Sequence, residues 1–96
     1  MKSFLAAKTL EQNQHWMAEQ VHIALGVLLA AAASHKIDSC PLGGFSKPDY
    51  DRILNLQSRG LRSVVLCALG QRDESDKYAA SPKIRFKNDR LFEFLT

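Results

Sequence analysis

Three sets of residues in this chain have types and spacings that could do chemistry. The first is the loop Pro41-Leu42-Gly43-Gly44-Phe45. Proline removes a backbone donor there, and adjacent glycines open dihedrals that other residues avoid, which lets a backbone come close to a ligand. An ordinary strand-to-helix turn would use the same residues with no ligand. The second set is Lys83 and Arg85. In an extended segment they share one face, with Ile84 and Phe86 on the other. Two cations side by side, one of them a bidentate guanidinium, suit an anion, while a solvated edge strand would carry the same pair.

The third set is the histidines and cysteines. His15 and His22 lie seven residues apart. A helical metal pair would use a spacing of three or four and a third ligand, so these two are read as surface or packing residues and no metal is expected. His35 falls near a helix C-terminus, where a cation is mildly favourable. Cys40 and Cys67 have no metal-type spacing and sit among apolar residues, so both are expected to be buried, reduced thiols. No basic residue flanks Cys40 closely, so it is treated as packing. Trp16 reads as a core or interface anchor.

These residues must be positioned by a short series of elements. Residues 2–8 read as a helical or frayed piece. Residues 11–35 are rich in Ala, Leu, Glu and Gln and predict a long helix. Its first half is amphipathic, but residues 23–33 are apolar on every face, the pattern of a helix buried all round. Gly26 and the four alanines at 30–33 would let another backbone approach, which suits a subunit interface. A short strand is expected at 37–40. A helix from 47 to 58 follows, with Ser46 as N-cap, Asp49 three residues on, and Gly60 as terminator. The run Val64-Val65-Leu66-Cys67-Ala68-Leu69 predicts a strand within 61–69, buried on both faces. Residues 71–80 form a polar loop, and 82–86 alternate with period 2. The tail Leu91, Phe92, Phe94 and Leu95 is apolar enough to dock on another surface. The order helix, strand, helix, strand, tail reads as a fragment of an α/β sheet, small enough to leave open edges.

Composition excludes several classes. A chain of 96 residues is one domain at most, and its hydrophobic fraction of 46% is that of a globular protein. Net charge is +3 and the pI about 9.1, but the basic residues are scattered apart from 83–90, so no nucleic-acid partner is expected. The most apolar run, residues 23–33, is shorter than the roughly 20 residues that span a bilayer, and it has no signal-peptide context. No membrane partner is expected, and reduced thiols suit the cytoplasm.

The order of these pieces resembles a known family. Trp16-Met17-Ala18-Glu19-Gln20-Val21 precedes an all-apolar helix. Asp38-Ser39-Cys40-Pro41-Leu42-Gly43-Gly44-Phe45 comes next, then a valine-rich strand ending at Gly70, then Ser81-Pro82-Lys83-Ile84-Arg85. Together they are similar to the C-terminal half of the oxygen-insensitive nitroreductases, from about residue 4 onward. The resemblance implies a partial α+β fold, a long central helix plus a small mixed sheet completed by dimerisation, with that helix at the homodimer interface and FMN bound there. It implies a flavoprotein oxidoreductase in which NAD(P)H reduces FMN, which in turn reduces a nitroaromatic or quinone. It places Pro41, Leu42, Gly43 and Gly44 against the flavin ring, with a backbone N–H of Gly43 or Gly44 facing N5. It places Lys83 and Arg85 on the FMN phosphate or pyrimidine edge. Catalytic side chains are not expected, since the flavin carries the chemistry. One departure is Gly43, where members of this subgroup commonly carry Glu. Another is that nothing here matches the family's N-terminal FMN-binding stretch, so residues 1–96 are expected to form one domain, a truncated C-terminal half. Two functional readings follow: an FMN-dependent NAD(P)H oxidoreductase or part of one, and a flavin-free, non-enzymatic dimerisation fragment.

Overall fold

In the computed structural model, residues 6–95 are described, so residues 2–5 of the expected N-terminal piece lie outside them. Helix α1 spans Leu10–Ser34. Its start is set by a capping box: the Gln12 N–H donates to Thr9 Oγ1 at 3.1 Å, and the Thr9 N–H donates to Gln12 Oε1 at 2.9 Å. Its end is a Schellman motif. Lys36 takes φ 57, its N–H donates to Ala33 O, and the Ile37 N–H donates to Ala32 O at 2.9 Å. Ala32, at the foot of this motif, is the one buried hydrophobic residue among those described.

The reversal at Lys36 delivers the chain directly into β1, Asp38–Leu42, which pairs antiparallel with β2, Leu66–Gly70. The register runs from Asp38 opposite Gly70 to Leu42 opposite Leu66. Pro41 and Leu42, expected in a loop, therefore belong to β1. The expected 61–69 strand is restricted to its second half and extends to Gly70. Val64 to Cys67 are half-buried beside α1, while Ala68, Leu69 and Gly70 are exposed.

Between the strands, α2 spans Lys47–Ile53, with Pro48 in its first turn. Ser46 makes no side-chain cap bond; only its carbonyl accepts, from the Tyr50 N–H. The helix stops short of the expected residue 58. Asn55 takes φ 53, the Asn55 N–H donates to Arg52 O and the Leu56 N–H to Asp51 O at 2.9 Å, a second Schellman closure. Asparagine tolerates the left-handed region, so it ends the helix ahead of the glycine. Gly60, at φ 68, closes a separate 3₁₀ turn, Gln57–Arg59.

Residues 82–87 take no regular secondary structure and join no ladder, so the period-2 segment is not a strand here; a strand requires a neighbour to pair with. A single-turn helix α3, Asn88–Leu91, follows. The apolar tail does not dock, with Phe94 at 88% and Leu95 at 92% exposure. The molecule is thus α+β, with a long helix beside a two-stranded sheet. The α1 helix is not buried on all sides within the chain: Ile23 and Val27 are each about two-thirds exposed. As a whole it is long and apolar enough to cross a membrane by length and composition, a test that core helices of soluble folds also pass. Helix length therefore does not exclude a membrane, as the 23–33 run by itself suggested.

Candidate functional site

The glycine loop leaves the end of β1 in the open. Pro41, Leu42, Gly43 and Gly44 are all exposed. A Cβ built on Gly43 or Gly44 would meet nothing within 4 Å, and neither glycine has positive φ. Neither local strain nor packing within this chain therefore demands glycine at these positions. The loop is anchored just beyond them. The half-buried Phe45 ring meets Tyr50 edge-on at 5.0 Å, and Lys47 Nζ lies 4.9 Å above the Phe45 ring. These contacts tie the loop to α2 and leave the face above the glycines clear.

The other end of the strand pair is polar. Arg72, just past β2, donates from Nε to both carboxylate oxygens of Asp38 at 3.1 Å, from its backbone N–H to Oδ2 at 2.9 Å, and from a terminal nitrogen to Oδ1. The Arg72 side-chain bonds, then its backbone N–H, hold Asp38 below the usual carboxylate range, and the same pairing raises the Arg72 guanidinium further. This fork lines a cavity of about 590 Å³ together with Cys40, Asp76 and Lys83. Sequence reasoning missed the Asp38–Arg72 pair, because only the strand register brings residues 34 apart together.

The structure does not gather the six residues singled out in the sequence. Pro41 to Gly44 are contiguous at one end of the sheet. Lys83 lines the cavity at the other end, beside Asp38 and Cys40. Arg85 donates to its own neighbour's carbonyl, Ile84 O, at 2.8 Å, and lines a separate depression of about 440 Å³ with Lys87, Asp89 and Arg90. The expectation that Lys83 and Arg85 share one strand face is therefore not met in the lone chain, since 82–87 has no partner strand to impose a pleat.

The thiols need a correction too. Cys40 is exposed and Cys67 half-buried, and both are free. Their register neighbours differ, Cys40 facing Ala68 and Cys67 facing Pro41, so alternation sends them to opposite sides of the sheet. They were expected buried because their neighbours are apolar, but a two-stranded sheet covers neither side completely. The His22 ring pairs through Nδ1 with Ala18 O at 2.8 Å, and His15 lies 4.0 Å from Glu11.

A further cleft, unforeseen from sequence, lies between the start of α1 and α2. It measures about 510 Å³ and is lined by Glu11, His15, Lys47, Asp51 and Arg62 among others. Asp51 accepts from the Ser63 N–H at 2.9 Å, and Ser63 holds it below the usual carboxylate range, through its side chain first and then its N–H. Arg62 reaches Gln14 at 3.4 Å. The lining charges balance one another, so the cleft presents no single sign to a ligand.

Comparison with known proteins bears on the first of these regions. A model of the Nitroreductase family matches residues 1–71, which includes the glycine loop and both strands but stops before Lys83 and Arg85. An oxygen-insensitive NAD(P)H nitroreductase of Salmonella typhimurium is 31% identical over 77 residues, 80% of this chain and 36% of the relative. The Enterobacter cloacae protein of the same name is 30% identical over 79% of this chain and 35% of its own length. A Staphylococcus epidermidis protein with a provisional NAD(P)H nitroreductase name is 28% identical over 98% of this chain and 43% of its own length. The chain thus spans little more than a third of the first two relatives it matches.

Proposed function

The chain belongs to the nitroreductase family, and we propose that it contributes the glycine-loop side of an FMN site in an NAD(P)H-dependent oxidoreductase acting on nitroaromatic or quinone acceptors. The reading is carried by the family match over residues 1–71, within which the Pro41–Gly44 backbone is exposed. Glycine eases the close approach of a flat ring to the backbone, so the exposed loop fits such a group. The names of the Salmonella and Enterobacter relatives supply the activity and the nicotinamide donor.

Bound FMN would accept the hydride from NAD(P)H and deliver electrons to the acceptor. The chain's own part is positional. The Pro41–Gly44 backbone would support the ring, and an N–H of Gly43 or Gly44 would donate toward N5, where negative charge develops on reduction. Lys83 and Arg85 would supply cations for the phosphate, provided that a neighbouring strand draws residues 82–86 into a pleat that presents both on one face. Gly43 carries no side chain to reach water or substrate, so acceptor preference would be set by other residues. The assembly would be a homodimer in the cytoplasm, with residues 1–96 as one domain within it.

Absorbance spectra of the Salmonella relative carrying this chain in place of its matched stretch, with and without FMN, test this. Flavin should remain through gel filtration and support oxidation of NAD(P)H by a nitroaromatic or quinone. Gly44→Ala should weaken flavin retention while changing stability by no more than about 0.5 kcal/mol, since a Cβ there meets nothing within 4 Å in this chain. Protein that stays colourless with added FMN would leave the flavin-free dimerisation fragment as the reading.

A further inference from the structure

The glycine loop starts where β1 ends, so whatever fixes β1 fixes the loop. Gly43 and Gly44 do not hold themselves: without side chains they leave their own backbone the widest choice of dihedrals. The ladder holds β1 only loosely. It is five residues long, and Pro41 contributes no N–H to it. No residue of either strand is fully buried, so a shifted pairing would lose little burial. The connection through residues 43–65 is no tight turn, so turn geometry does not set the register either.

The Arg72 fork supplies what the ladder lacks. Asp38 stands opposite Gly70, and Arg72 closes on its carboxylate with Nε at 3.1 Å to each oxygen and the backbone N–H at 2.9 Å. A guanidinium fork and a backbone donor meeting one carboxylate are satisfied in one alignment. A slip of one residue would carry Asp38 about 3.3 Å along β2 and turn its side chain to the other face of the sheet. The side chains of Asp38 and Arg72 are 35% and 59% exposed, so water screens their attraction and their geometry counts for more than their energy. Beyond the loop, Phe45 meets Tyr50 of α2, and Asp51 of α2 takes the Ser63 N–H at 2.9 Å from the run into β2. The loop is thus one side of a closed circuit of contacts through β1, α2, Ser63, β2 and Arg72. We propose that Asp38 and Arg72 are positioning residues: their fork sets β1 in register and so aims the Gly43 and Gly44 N–H groups. The consequence for the flavin rests on the function proposed above; the register does not.

The test uses the Salmonella relative carrying this chain in place of its matched stretch, supplied with FMN. Asp38→Asn should raise the FMN dissociation constant about tenfold, shift the bound flavin's visible absorption, and speed amide exchange at residues 42–44 about tenfold. Arg72→Lys keeps the charge and loses the planar fork, so it should raise the constant and the exchange rate about threefold. Exchanging the pair, Asp38→Arg with Arg72→Asp, should bring affinity and exchange back to within about threefold of the parent. Thr9→Ala, which loosens the start of α1, should lower the melting midpoint and leave the flavin readings and the exchange at 42–44 unchanged. A fork that only adds stability would move the flavin and the exchange no more than Thr9→Ala does, and that result overturns the inference. If the parent holds FMN and both single fork variants match it in affinity and exchange, the inference falls and the flavin reading stands. A parent that binds no FMN overturns the flavin reading. Exchange at 42–44 then decides the fork: faster in Arg72→Lys supports it, and unchanged overturns it.

Discussion

Single residues here act through local hydrogen bonds more than through burial. Asp38 is the clearest case. Its carboxylate takes the Arg72 fork and the Arg72 backbone N–H, which pins the second residue past β2 to the first residue of β1. The folded-state pKa lies below the ordinary value of 3.8. The stabilisation is therefore complete above about pH 4 and is lost as pH falls through the lowered value. Thermal melts across pH should show Asp38→Asn less stable than the parent at pH 7. Below about pH 4 the two should converge as the parent protonates. Asp51 and Asp73 are lowered in the same way by Ser63 and Ser75 and act in both proteins, so the difference between the curves isolates Asp38. Curves that stay parallel down to pH 2 would mean that the fork adds no stability.

At the scale of elements, termini decide the architecture. Helix α1 begins at a reciprocal Thr9–Gln12 box and ends at a left-handed lysine whose closing bonds aim the chain into β1. Removing the Thr9 hydroxyl leaves the Gln12 N–H without its acceptor. Thr9→Ala should cost about 0.5–2 kcal/mol and fray the first turn, read as reduced helical circular dichroism and a lower melting midpoint. Thr9→Ser should restore most of it; a Thr9→Ala protein that melts like the parent would show that the box is idle. The reading of 11–35 passed over the T-x-x-Q spacing at 9–12, which places the helix start a residue earlier. The end of α2 was less legible, because Asn55 and Gly60 are both able to take left-handed dihedrals and only the Schellman closure at Asn55 shows which one stops the helix.

At the scale of the whole molecule, the chain has elements without a core. Only Ala32 among the described residues is buried, and the longest helix is apolar on sides that nothing covers. Apolar side chains left in water contribute little to the stability of the lone chain. Ile23→Ser and Val27→Ser should shift its unfolding by no more than about 0.5 kcal/mol. In the assembled protein the same changes should cost about 2 kcal/mol or more, because the side chains would then be buried. Equal effects in both settings, followed by denaturant unfolding, would mean that this side of α1 stays exposed after assembly.

Periodicity, propensity and turn residues were enough to read a long helix, two strands, a glycine loop and a polar linker from the residues alone, because each depends on neighbours a few positions away. The ordered motifs from Trp16 to Arg85 were enough for the family, although the family model matches only residues 1–71. What needed the third dimension was every contact between distant residues. The register that sets Asp38 against Gly70 and brings Arg72 to the carboxylate is one example; the sides taken by Cys40 and Cys67 are another. Residues 82–86 mark the boundary between the two kinds of information. Their alternation states how they would face once paired, but pairing needs a neighbouring strand, and none pairs with them among the described residues.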